Sequence, residues 1–143
     1  MDAGVTSSIT LANLTLDTGY TGTLTLSATS GVDLTVTNSI TINTNGGKLV
    51  DNGRTVNFKN VNIVDEANRL TSTGNWKMTA SGNIANTNAT NVFYSLELAT
   101  GVTATTTIRS RTRTFIMGNN STVTGQILAL YSPVANNFIT QGT

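Results

Sequence analysis

The sequence has no cysteine and no histidine. The first absence excludes a disulfide framework and thiol chemistry. The second removes the commonest metal ligand and the one side chain that ordinarily titrates near neutrality. Charge is scarce as well. Asp, Glu, Lys and Arg make up 10% of the chain and balance to a net +1, mixed in sign along its length. No field is available to gather nucleic acid or anionic lipid, so neither partner is expected. No apolar run approaches the roughly 20 residues of a membrane-spanning helix, and membrane insertion is not expected. The opening Met1 to Ser8 has neither the basic region nor the apolar stretch of a secretory signal. Pro133 is the only proline and is expected to end the last run of strands.

Thr, Asn and Ser fill the space that charge leaves. The chain is polar, neutral and rich in β-branched residues, which is the opposite of the composition of a disordered segment. Residues 34 to 63 set the pattern. Leu34 and Val36, Ile40 and Ile42, Val56 and Phe58, and Val61 and Ile63 each stand two apart with Thr, Asn or Ser between them. That period predicts strands with one buried and one wet face. Asn45-Gly46-Gly47 and Asn52-Gly53 supply turns.

A longer period overlies the short one. The pairs Leu14/Leu16, Leu34/Val36, Val56/Phe58, Trp76/Met78 and Leu96/Leu98 recur about every twenty residues, with Ile116 at the next step. This spacing predicts a short parallel β-solenoid, in which stacked coils bury one another's inward side chains. Six or seven coils at ~4.8 Å would make a column of roughly 30 Å. The alternative is an antiparallel β-sandwich or jelly roll, whose strands also recur at short intervals. Residues 1–143 form a single all-β domain in this reading. Residues 1–8 are a lead-in, 9–131 the core and 132–143 a tail whose Phe138 and Ile139 either dock or fray. An exposed loop is expected over Asn86 to Asn91.

The Thr, Asn and Gly usage, with its L-x-L and I-x-I steps, resembles the β-helical parts of phage tail fibres and tailspikes and of bacterial surface adhesins, over residues 9 to 131. The resemblance implies a structural virion protein, such as a fibre, coat or capsid decoration component. It implies self-association, a trimer in many fibre proteins, alongside other structural proteins. The missing signal favours the virion over an extracellular or bacterial cell-surface location. The alternatives are an adhesin module that binds carbohydrate or protein, with a cell-surface glycan as partner, and a tailspike-like glycan hydrolase.

No catalytic, cofactor-binding or metal site is expected. Asp33 and Asp51 are 18 residues apart and could face one another across a groove, as glycoside hydrolysis requires, but such acids more often bond local turn amides. Asp51-Asn-Gly-Arg54 lacks the spacing of a calcium loop. Trp76 falls in the inward registry, whereas Tyr20 and Tyr94 are expected to be exposed. Thr-x-Thr steps at Thr23, Thr35 and Thr105 do not share the twenty-residue period, which argues against an ice-binding face. Arg109, Arg111 and Arg113 alternate with Ser110 and Thr112 and would share one face of a strand. Their mutual repulsion suggests a subunit interface, where a neighbour supplies carboxylates or carbonyls. The competing reading is a solvated edge that blocks unwanted sheet pairing.

Overall fold

The computed structural model describes residues 7–28, 32–64, 66–86, 88–107, 111–125, 129–130 and 137–140. In chain order the strands are β1 (Ile9–Leu16), β2 (Thr23–Thr25), β3 (Leu34–Ile42), β4 (Lys48–Val50), β5 (Val56–Ile63), β6 (Leu70–Thr71) and β7 (Asn75–Met78). There follow β8 (Gly82–Asn86), β9 (Val92–Leu98), β10 (Thr103–Thr107), β11 (Arg111–Met117), β12 (Thr122–Gly125), β13 (Ala129–Leu130) and β14 (Asn137–Thr140). Every strand pairing among the described residues is parallel. The chain is a parallel β-solenoid with a repeat of about 21 residues.

Each coil has three faces. The first is built from the leading halves of β1, β3 and β5, then β7, the trailing parts of β9 and β11, and β14. The second takes the trailing halves of β1, β3 and β5, then β8, β10 and β12. The third is a separate three-stranded sheet of β2, β4 and β6. The tail contributes to the stack, because Asn137–Thr140 pairs in parallel with residues 114–117 of β11.

The expected registry holds through the middle of the first face. Leu34 and Val36 lie beside Val56 and Phe58, which lie beside Trp76 and Met78, and these lie beside Leu96 and Leu98. It fails at both ends. Leu14 and Leu16 stack on Ile40 and Ile42 of the second face, while Ile9 and Leu11 stack on Leu34 and Val36. The early coils are longer than twenty residues, so a fixed step drifts onto the next face. At the other end Phe115, not Ile116, follows Leu96, because that coil is one residue short of twenty.

Among the described residues the buried core runs from Leu16 to Phe115, with Trp76 fully buried within it. The indole packs edge-on to Phe58, with centroids 5.8 Å apart, and tilts against Phe93 at 5.1 Å. The second-face column thins toward the C-terminus, from Leu14, Ile40, Val61 and Ile84 to Thr106 and Gly125. Corners demand left-handed backbone. Gly19, Asn45 and Asn68 occupy it at one corner of successive coils, and Gly101 and Asn120 at another. Glycine adopts this conformation freely and Asn tolerates it better than other side chains do.

Asparagine also joins coils at the bend between the first two faces. The Asn38 carboxamide donates to Asn13 Oδ1 at 2.9 Å, and that of Asn60 donates to the Asn38 carbonyl at 2.9 Å. The Asn83 amide then donates to Asn60 Oδ1 at 2.9 Å. A Cβ on neighbouring Gly82 would lie 2.6 Å from that same oxygen and 2.5 Å from the Lys59 carbonyl, so the ladder needs glycine there. Among the described residues no helix is long and apolar enough to cross a membrane.

Candidate functional site

The third face is interrupted after β6. Its next neighbour in the stack, the start of β9, belongs to the large sheet and does not pair with β6. Side chains take over the backbone groups left at this break. The amides of Arg69 and Leu70 both donate to Asn91 Oδ1, at 2.8 and 3.1 Å. The amide of Tyr94 donates to Ser72 Oγ at 3.1 Å. Asn91 and Asn86 are therefore buried, and the Asn86 carboxamide donates to the Asn91 carbonyl. The exposed loop expected over Asn86 to Asn91 is thus corrected at both ends. Periodicity reads apolar side chains only; Asn91 is buried because its Oδ1 replaces a ladder acceptor for β6, and Asn86 because it lies in β8 and holds the Asn91 carbonyl.

The break opens a surface groove of about 490 Å³. Leu70 and Val92 supply apolar lining, Thr71, Ser72 and Thr90 supply hydroxyls, and Arg111 and Arg113 supply charge. Among the described residues none of its lining side chains is acidic. Thr112 is buried between the two arginines, so Arg111 and Arg113 share the outer side of β11. The Arg111 guanidinium donates to the Ala89 carbonyl at 3.4 Å. That of Arg113 lies over the ring of Tyr94, 5.8 Å from its centroid, in cation–π range. Arg109 and Ser110 lie outside the described residues.

Tyr94 and Tyr20 are exposed, as their positions in the pattern suggested, at 45% and 44%. Tyr94 contacts a groove-lining side chain, that of Arg113. Tyr20 lies over the backbone of Gly22 and Gly47. Trp76 is fully buried and is part of the core.

The candidate acids are committed elsewhere. Asp33 accepts the Thr55 amide at 3.0 Å. Asp51 is buried and accepts the amides of Gly53, Thr73 and Gly74, the Thr73 hydroxyl and the Trp76 indole N–H, the last at 2.8 Å. Asp17 accepts the Asn43 carboxamide and the Thr18 amide, and these bonds, the Asn43 bond first, hold its carboxyl below the usual range. Glu66 accepts the Asn45 amide on both oxygens at 3.0 Å and pairs with Arg69. The Asn45 bond, ahead of the Arg69 guanidinium, lowers its carboxyl too. Glu97 bridges Lys77 at 2.7 Å and accepts the Asn75 carboxamide. Asp2 and Asp65 lie outside the described residues. Among the described residues no group of three or more acidic, His or Cys side chains could hold a metal ion.

The Thr-x-Thr steps fall on different faces. Thr23 and Thr25 adjoin Lys48 and Val50, Thr35 adjoins Asn57, and Thr105 adjoins Asn83. One stacked pair emerges that the sequence spacing concealed: Thr103 and Thr105 lie beside Thr122 and Thr124.

The groove escaped the sequence reading because it arises from a missing strand pairing. The alternating arginines marked one wall of it. No family model, curated protein or solved structure matches this chain.

Proposed function

We propose that this chain is a structural, non-enzymatic component of a surface assembly and that it associates with copies of itself. The setting that best suits it is a virion, as a fibre, coat or decoration component. The observation that carries this reading is the use made of acidic side chains. Asp17, Asp33, Asp51, Glu66 and Glu97 each accept a bond from a residue 20 to 26 positions away, in an adjoining coil. Carboxylates tied down in this way hold coil to coil and are poorly placed to exchange protons with a substrate.

The first coil supports self-association. Among the described residues β1 pairs on one side only, with β3, and Leu11 is 37% exposed at that end of the column. An eight-residue strand with an open edge and apolar side chains is a template for a further chain. Multi-angle light scattering tests the proposal. A mass at a multiple of the 15.0 kDa protomer is expected. A protomer mass that persists at high concentration would contradict it. Reducing-sugar release from polysaccharides should stay at background.

A second reading, a glycan- or protein-binding adhesin module, is favoured by the groove beside Tyr94.

A further inference from the structure

We propose that the groove between β6 and β11 binds a carboxylated sugar, with Arg111 and Arg113 as the carboxylate-recognising groups. The inference rests on the second reading above and assigns it a site and a ligand class.

Three observations converge on one ligand chemistry. The groove falls within the ~300–1,000 Å³ of small-molecule sites. Among the described residues its charged lining is of one sign, two guanidinium groups with no acidic side chain. A guanidinium presents paired N–H donors that match a carboxylate, and pairs of this kind are stronger than neutral hydrogen bonds. The remaining lining includes polar Asn68, Thr71, Ser72 and Thr90 and apolar Ala89 and Val92, with the buried Leu70 at its floor; the Ser72 and Thr90 hydroxyls also accept the amides of Tyr94 and Asn68. A pyranose has the same division, with hydroxyls at its rim and C–H groups on its face. A small inorganic anion would make no use of Val92 and Ala89, and a neutral sugar offers a guanidinium no charge to pair with.

The arginines are also positioned in advance. Arg113 is held against the Tyr94 ring and Arg111 against the Ala89 carbonyl. Both contacts reduce the side-chain freedom that binding would otherwise remove. The backbone beneath them is fixed by the buried Asn91 and by the Ser72 bond to Tyr94. Tyr94 is thus a positioning residue for Arg113.

The test is isothermal titration of the intact protein with a glucuronate-terminated oligosaccharide and with its glucose-terminated counterpart. The acidic sugar should bind at least about tenfold more tightly, the weight of one charge-assisted hydrogen bond. Its affinity should fall with added salt. Arg111→Ser with Arg113→Ser should abolish that preference while the Trp76 fluorescence and the β-sheet circular dichroism stay unchanged. Arg113→Lys should recover only part of it, because the fork is lost and the charge kept. Equal affinity for the two sugars would overturn the proposal and leave the adhesin reading standing. Absence of binding to either sugar would overturn the proposal and leave the adhesin reading only its protein-binding form. A double variant that lowers the assembled mass but binds acidic sugar as before would also overturn it and return the arginines to a subunit contact.

Discussion

Asp51 is an acid placed in a core beside the chain's single tryptophan. Burying a carboxylate is costly unless donors surround it. Here the donors come from its own turn and from the following coil, and they end on the Trp76 indole. Asp51→Ala would leave that N–H and the Gly74 amide buried without an acceptor. At ~1–3 kcal/mol for each unsatisfied group, a loss of at least about 2 kcal/mol is expected. Urea unfolding followed by circular dichroism measures it. In a double-mutant cycle with Trp76→Phe the two sites should couple, by ~0.5–3 kcal/mol. Additive losses would mean that the bond contributes little.

Asp17 and Glu66 govern the acid limb at the same scale. Both carboxyls are held below their ordinary range in the folded chain, through Asn43 and Asn45 in particular. The unfolded chain therefore takes up protons first as pH falls. Their contribution is complete above the ordinary values of about 3.9 for Asp and 4.3 for Glu, and it is lost as pH drops through the lowered folded values. The melting temperature should be flat from neutrality to about pH 5 and should fall below about pH 4. Asp17→Asn together with Glu66→Gln should make that decline shallower. An unchanged decline would place the acid sensitivity in other groups.

At the scale of strands and turns, the alternating pattern was legible because the two sides of each strand meet different surroundings. Leu34/Val36, Ile40/Ile42, Val56/Phe58 and Val61/Ile63 all point inward as read, whereas Leu49 and Asp51, buried in the same stretch, carry no such pairing signal. The coil period was legible only where coils are near twenty residues, from Leu34 to Leu98. Longer first coils displaced Leu14 and Leu16 onto another face, and a shorter late coil put Phe115 where Ile116 was expected. Phe93 was hidden for a related reason. It and Leu96 both point inward although three apart, because the chain turns a corner at Tyr94. The groove depends on Asn91 and Ser72 replacing backbone partners, and nothing in their spacing distinguishes them from surface Asn and Ser.

The turns carry a prediction of their own. Asn120 is exposed and has φ 54°, at the corner where Gly101 has φ 73°. A β-branched residue there meets the left-handed penalty of ~1–2 kcal/mol, whereas glycine does not. Asn120→Val should lower stability by about 1 kcal/mol and Asn120→Gly should be nearly neutral. Equal losses in chemical denaturation would mean that the side chain, and not the backbone, matters at this corner.

At the scale of the whole molecule, a solenoid is a stack whose interior contacts are all between neighbours. Its faces carry neutral Thr and Asn, its acids join coils, and its first strand leaves one edge open among the described residues. The proposed assembly follows from that edge. The side chain of Leu11 is aligned with Val36 in the core column yet remains partly exposed because no described coil covers it. Placing a charge there should block a second copy without disturbing the coils beyond β3. Sedimentation velocity on the native chain and on Leu11→Lys is the most direct test. The account predicts an assembled species for the native chain and a 15.0 kDa protomer with an unchanged circular dichroism spectrum for the variant. A native chain that sediments as a protomer, or a variant that assembles as well as the native chain, would contradict it.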